Sequence, residues 1–341
     1  MNFQYMQKTE NYQKYLDRAI SAGKKRVERA RGKVPKMRGN EPRMKQRQYF
    51  EIELITEVQD NLAEMLSKIY LKFPNLEELS PFYNELARVT IRYNLTKQAL
   101  GSVKWAEKQC REVSWKVVIA IKRARSMDEI EKQKKAYFGR ICSVMKQIQK
   151  HLVIIEESRR VLKSWPDVKE GVRTIAIAGY PNVGKSSLLK ALTQTNPEIK
   201  AYAFTTKSLN IGYLEIEPRI YQIIDTPGTF DREIEKMNNV EKQAYVVMKH
   251  AAEKILYMFD PSESCGYEVE SQLQLLKRIE KNFNKEITVI VNKVDLDTTK
   301  LSKIKKEYPH AIEISVKTRK GIEEVKNTIV KNTIRKETVR K

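Results

Sequence analysis

The stretch TIAIAGYPNVGKSS, residues 174–187, decides the fold. Thr174 to Ala178 is a β-branched and alanine run that predicts a buried strand. Gly179, Tyr180, Pro181, Asn182, Val183, Gly184, Lys185 and Ser186 follow with the spacing G-x-x-x-x-G-K-[ST], and Ser187 continues the run. Leu188, Leu189 and Leu192 then recur with helical period. A strand, a glycine-bounded loop and a helix in that order make a phosphate site. The two glycines let successive backbone N–H groups turn inward toward phosphate oxygens. The helix N-terminus adds partial positive charge. Lys185 is expected to reach the outer phosphates, and the Ser186 hydroxyl to ligate Mg²⁺.

Short β-branched runs continue outward from this stretch at 211–216, 220–225, 255–259, 287–291 and 311–315. Helical segments are expected between them at 185–193, 237–252, 266–282, 298–306 and 320–331. The alternation predicts an α/β domain over 172–331, with a mostly parallel sheet and helices on both faces. Residues 332–341 read as a basic tail.

The N-terminal half has a different texture. Residues 1–165 hold 35 Lys and Arg against 19 Asp and Glu, an excess of +16 out of the chain's +22. Ile55, Val58, Leu62, Met65, Leu66 and Ile69 recur at spacings of three and four. Phe138, Ile141, Met145, Ile148, Leu152 and Ile155 do the same. These stripes predict an all-α helical bundle over 46–166. Phe73-Pro74-Asn75 ends the first long helix, and Ser80 is expected to cap the next with Pro81 in its first turn. Residues 1–45 read as a basic arm with a short helix over 8–22, because glycines and prolines interrupt its densest run of charge.

Several classes are excluded. No run of eighteen apolar residues suggests a membrane span. The first fifteen residues lack the apolar core of a signal peptide, so a cytoplasmic chain is expected. Cys110, Cys142 and Cys265 are odd in number and far apart, which fits neither a disulfide framework nor a zinc site.

Further motifs follow the phosphate loop. Asp225 ends an apolar strand and is followed by Thr226, Pro227 and Gly228. Its carboxylate is expected on Mg²⁺ and the Gly228 N–H on a γ-phosphate. Of Thr205 and Thr206, Thr206 is preferred as the hydroxyl completing the metal shell. Asn292, Lys293 and Asp295 follow the apolar strand 287–291. A carboxylate accepts from both N1–H and N2–H₂ of guanine, so Asp295 would select guanine over adenine. Asn292 can bond the base and brace the phosphate loop, and the Lys293 stem can pack over the ring. Ser315, Val316 and Lys317 can offer backbone groups to the guanine carbonyl. The ligand expected is GTP or GDP, with Lys185, Thr206 and Gly228 acting on the γ-phosphate.

The segment resembles the Obg–HflX group of P-loop GTPases, and within it the Nog1 family. GYPNVGKSSL at 179–188, AYAFTTKSLNIGYL at 201–214, DTPGTFDR at 225–232 and DPSESCGYEVESQ at 260–272 carry the likeness. FPNLEELSPFYNEL at 73–86, ALGSV at 99–103 and GRICSVMKQ at 139–147 extend it into the helical half. The resemblance implies a GTPase of large ribosomal subunit assembly that docks on rRNA and precursor particles; with the lysine-rich composition it implies an archaeal source. No membrane or DNA partner is expected.

Two features leave readings open. Ras-type enzymes carry glutamine where this chain has Thr229, and Phe230 after it cannot orient water either. Slow turnover is expected, accelerated by a ribosomal partner or a monovalent cation; the alternative is a nucleotide-dependent scaffold or a signalling GTPase with little hydrolysis. Asn182 resembles an asparagine that binds K⁺ in some relatives, and it equally suits a turn asparagine bonding its own backbone. For the basic half, rRNA binding is preferred to a protein-interaction bundle whose charge is a solvated face.

Overall fold

The computed structural model describes residues 3–33, 40–193, 209–227, 236–296 and 298–338. The chain divides into two compact units. A break falls between Lys163 and Ser164, close to the expected boundary at 166, and a second segment, Ser80–Thr90, is grouped across it. One unit comprises residues up to Leu79 together with Ile91–Lys163, and the other comprises Ser80–Thr90 with everything from Ser164 onward.

The first unit is helical: α1 (Tyr12–Lys33), α2 (Asn40–Leu71), α4 (Tyr93–Arg123), α5 (Met127–Gln147) and α6 (Gln149–Lys163). Helix α2 packs on α1 and α4, and α4 packs on α5 and α6. The predicted stripe of α2 forms the core, with Ile55, Val58, Leu62 and Leu66 fully buried. Ala99, Val103, Ala106 and Cys110 of α4 face inward, and the small residues among them permit close helix approach. Burial pushes the Cys110 thiol up to about 12, as befits an inert core residue.

The N-terminal arm departs from expectation. Its helix covers Tyr12–Lys33, well beyond the predicted 8–22, and it packs on α2. Gly23, read as an interruption, is the reason. A Cβ there would lie 2.8 Å from side-chain atoms of Leu54 and Val58, so the missing side chain lets the two helices meet. The second stripe, from Phe138 to Ile155, is carried by two helices that break at Ile148.

The helix α3 (Pro81–Thr90) lies in sequence inside the predicted bundle, yet belongs to the second unit. Its apolar face of Phe82, Tyr83, Leu86 and Ala87 is buried, and it packs on α8 (Asn239–Val246) and the following π-turn Val247–Ala251. Tyr83 Oη donates to Pro166 O at 3.0 Å and accepts from Val168 N–H at 3.0 Å. Trp165 stacks on Tyr83 and donates its indole N–H to Thr90 Oγ1 at 3.2 Å. The aromatic anchoring of α3 outweighs its place in the chain. Ser80 does not cap it by side chain: Ser80 Oγ is buried without a hydrogen-bond partner among the described residues.

The rest of the second unit is a six-stranded sheet in the order β2-β3-β1-β4-β5-β6. Its strands are β1 (Arg173–Ala178), β2 (Asn210–Ile216), β3 (Arg219–Asp225), β4 (Ala252–Phe259), β5 (Glu286–Val291) and β6 (Ile312–Glu313). Among the described residues, strands β2 and β3 pair antiparallel and the other strand pairs are parallel. Helices α7 (Lys185–Thr193), α9 (Val269–Asn282), α10 (Leu301–Glu307) and α11 (Ile322–Thr338) complete the unit. Helix α11 runs through most of the segment expected as a basic tail. Strand β1 lies between β3 and β4, so the chain leaves it where the strand order reverses. In open parallel sheets that crevice is where ligands bind. Among the described residues, no helix is long and apolar enough to cross a membrane.

Candidate nucleotide site

Four loops leave the C-terminal ends of adjacent parallel strands on one edge of the sheet. The glycine-bounded loop follows β1, Asp225 ends β3, Asp260 follows β4, and Asn292 follows β5. Register places Ile177 opposite Asp225 and Ala178 opposite Tyr257, which brings the first three loops side by side.

The phosphate loop needs its glycines. Gly179 has φ +138° and Gly184 φ +107°, values that L side chains rarely adopt. A Cβ on Gly179 would lie 2.6 Å from Met258 O, and one on Gly184 would strike the Asn292 amide. Asn182 sits at φ 64°, the left-handed region that asparagine enters at low cost. Lys185, Ser186 and Ser187 form the first turn of α7. Lys185 is buried, and its ammonium donates to Tyr180 O at 2.8 Å. Burial pulls the Lys185 pKa below its ordinary value, against the pull of Asp225 in the other direction.

Ser186 Oγ donates to Asp225 Oδ2 at 2.5 Å, and Asn210 Nδ2 donates to the same oxygen at 3.2 Å. Thr226 is tied back to β1 through its hydroxyl, which donates to Ile177 O at 2.8 Å. Pro227 ends the described part of this loop. Thr206 and Gly228, expected at the metal and the γ-phosphate, lie outside the described residues, as do Thr205, Thr229 and Phe230. The donor set present fits Mg²⁺: a hydroxyl and a carboxylate, both hard oxygens, on adjacent loops. That ion takes few protein ligands and fills its shell with water and substrate phosphate.

The base side is built by β5 and β6. Asn292, almost wholly buried, spends its amide on the protein: Nδ2 donates to Val183 O at 2.8 Å and Oδ1 accepts from Val316 N–H at 3.1 Å. Of its two expected roles, bracing the phosphate loop is the one its bonds perform. Asp295 is exposed, and a hydrogen bond with Ser315 holds its carboxyl below the ordinary carboxylate value. Ser315 is itself fixed by an N–H bond to Lys320 O at 3.1 Å, and its Oγ accepts from Thr318 N–H at 3.1 Å. Val316 and Lys317 continue that loop.

Sequence reasoning missed four residues here. Asp260 is fully buried and ion-paired to Lys293 at 2.7 Å. Gln272 clamps the Asp260 backbone from α9. Asn210 shares Asp225. Tyr267 stacks on Tyr180 of the phosphate loop, ring centroids 4.1 Å apart. A signal was present: an aspartate ending an apolar strand, with serines two and four residues on, marks a side-chain-bonded turn.

A phosphate loop at the point of reversed strand order, a serine–aspartate pair beside it, and an Asn-Lys-x-Asp loop two strands away define a P-loop GTPase domain. Comparison with known proteins agrees. Residues 3–169 match the family described as the NOG1 N-terminal helical domain, and residues 174–293 match the 50S ribosome-binding GTPase family. An uncharacterized protein of Methanocaldococcus jannaschii is 39% identical over 69% of this chain and 66% of its own length. Nucleolar GTP-binding protein 1 of Eremothecium gossypii is 37% identical over 70% of this chain and 37% of its own. A solved Plasmodium falciparum structure described as a nucleolar GTP-binding protein 1 is 30% identical, with a TM-score of 0.42, over 51% of this chain and 94% of that one. The chain belongs to the Nog1 family of GTP-binding proteins. The matches span about two thirds of the archaeal relative and little more than a third of the fungal one.

Proposed function

We propose that this chain binds GTP with Mg²⁺ in the loops described above, hydrolyses it slowly to GDP and phosphate, and acts on a large ribosomal subunit precursor through its basic helical unit. The reading is carried by the convergence of Lys185, Ser186, Asp225 and Asp295 on one sheet edge. Gly179 to Ser187 would wrap the phosphates, with Lys185 leaving Tyr180 O to meet the outer ones. Ser186 and Asp225 would hold Mg²⁺, joined by Thr206 when a γ-phosphate is present. When bound, that ion offsets charge on the phosphate oxygens as the bond to the leaving group breaks. Lys185 and the loop amides, with Gly228, add to that stabilisation. Asp295 would read the guanine edge, and the backbone of Ser315 to Lys317 its carbonyl. A K⁺ ion beside Asn182 would supply a further charge.

The excess of +16 in residues 1–165 supports rRNA as the partner, since phosphate contacts by Lys and Arg release counterions. The match of residues 174–293 to the 50S ribosome-binding GTPase family supports a role beside the large ribosomal subunit, and the fungal relative's name supports a GTP-binding one. A cytoplasmic setting is part of this proposal; the same name places that relative in the nucleolus.

Binding of fluorescent GDP and ADP analogues with Mg²⁺ tests the site. Preference for guanine is expected, and equal binding of both would overturn the reading. Single-turnover phosphate release in K⁺ and Na⁺ buffers tests hydrolysis; none in either would leave a nucleotide-dependent scaffold. Filter binding to rRNA across a salt series should show a steep loss of affinity, and a flat series would point to a protein partner.

A further inference from the structure

The Nog1 reading leaves one buried ion pair without a task. Asp260 stands one residue past β4 and is wholly buried. Its carboxylate accepts from Ser262 N–H at 3.1 Å, Ser262 Oγ at 2.6 Å, Ser264 Oγ at 3.1 Å, Cys265 N–H at 2.8 Å and Lys293 Nζ at 2.7 Å. Gln272 fixes its backbone in both directions, accepting from Asp260 N–H at 2.9 Å and donating to Asp260 O at 3.0 Å. Burial alone would raise the Asp260 pKa, but the Lys293 ammonium and the two serine hydroxyls hold it below its ordinary value.

Lys293 is held from both ends. Its backbone lies at φ 60°, a strained setting for a side chain of this size, and its ammonium also donates to Ser264 Oγ at 2.8 Å. A long flexible stem with both ends fixed is a rigid surface. We infer that Asp260 is a positioning residue of the base site: it pins Lys293 so that the lysine stem stands as a preformed wall against the purine ring. The inference rests on the guanine-nucleotide reading above. Rotamer freedom that a loose lysine would lose on binding is here lost on folding, which favours affinity. Two consequences separate this role from others. The ammonium is neutralised by Asp260 and offers nothing to phosphate, so GDP and GTP gain equally. The wall meets the ring face and not its edge, so inosine diphosphate, which lacks the exocyclic amine, gains as much as GDP.

The test is equilibrium titration of fluorescent GDP, GTP and inosine diphosphate into the full chain and its variants. These are Asp260→Asn, Lys293→Ala, the Asp260→Asn/Lys293→Ala double variant, and Ser264→Ala, with Ser264→Ala also placed in the Lys293→Ala background. Asp260→Asn and Lys293→Ala should each weaken all three ligands about tenfold, as expected for loss of one charge-assisted contact. The double variant should bind like Lys293→Ala alone, because Asp260 acts only through Lys293. Ser264 is exposed and its variant folds even if Asp260→Asn does not; it should weaken binding about threefold, and not at all when added to Lys293→Ala. Additive losses, or a loss for GTP that differs from that for GDP, would overturn the inference. Unchanged affinity in Asp260→Asn or Ser264→Ala beside a wild type that binds guanine would overturn it alone. A wild type that binds no guanine nucleotide would overturn the reading beneath it.

Discussion

Asn292→Ala isolates the joint between the two halves of the nucleotide site. The substitution removes two hydrogen bonds, at 2.8 Å to Val183 O and at 3.1 Å from Val316 N–H. Val183 is fully buried, so its carbonyl loses its partner without gaining water. Such a loss costs about 2–3 kcal/mol. Val316 is only half-buried, and water can replace the bond there at about 1 kcal/mol. The sum, roughly 3–4 kcal/mol, should lower the melting temperature of the second unit by on the order of 10 °C. The phosphate-loop part of that cost, about 2 kcal/mol, must be met again when nucleotide orders the loop, and it corresponds to about 30-fold in Kd. Scanning calorimetry and titration of a fluorescent GDP analogue measure the two effects. Asn292→Asp should be worse than alanine, because it turns a buried carboxylate toward the Val183 carbonyl. A melting temperature within about 2 °C of wild type and a Kd within about threefold would refute the brace.

Asp295→Asn exchanges a pure acceptor for one donor and one acceptor, so GTP should bind more weakly and xanthosine triphosphate relatively better; unchanged GTP affinity in a competition assay would remove Asp295 from base recognition. Gly184→Ala puts a methyl group against the Asn292 amide at φ +107°, and should weaken nucleotide binding by about 100-fold, read by the same titration. In the helical unit, burial would raise the Glu156 carboxyl, but Arg159, the Thr9 N–H and Arg160 outweigh it and hold it at about 2 against an ordinary 4.5. A depressed carboxyl stabilises the fold above its unfolded value and loses that stabilisation as pH falls to its folded one. About 3 kcal/mol is therefore lost between pH 4.5 and about 2, and Glu156→Gln should flatten that part of an acid-unfolding curve followed by circular dichroism.

The sheet and its phosphate loop were legible because they are local. A β-branched run, two glycines and a leucine stripe specify strand, turn and helix without help from the rest of the chain; α7 begins and ends at the expected residues. Helix α1 was underread because propensity counts Gly23 as a break, whereas the fold uses its bare backbone as a contact surface on Leu54 and Val58. The grouping of helix α3 with the second unit is not legible for a related reason. Its stripe reads as bundle core, and periodicity reports that a face is buried without naming what covers it. The pairing of Tyr83 with Trp165 and Val168 spans more than eighty residues, beyond the reach of any local signal. Asp260 and Lys293 are a non-local pair of the same kind.

The residues that fasten the site share a chemistry that follows from burial. Asn292 and Gln272 are each almost inaccessible, and each ties its own amide to backbone groups on other segments. A neutral amide carries a donor and an acceptor on one planar group, so it can satisfy a carbonyl and an N–H at once. A carboxylate or an ammonium could satisfy only one of the two, and would carry an uncompensated charge into the interior. Charge is used where it can be balanced: Asp260 is buried against five donors, while the Lys293 side chain that neutralises it keeps 22% exposure. The amides thus fix where the loops lie, and the ion pair stiffens a lysine stem that, on the proposed reading, faces the base. Exchanging the two devices would bury charge at the joint and leave the lysine free to swing, which explains why the site is built this way round.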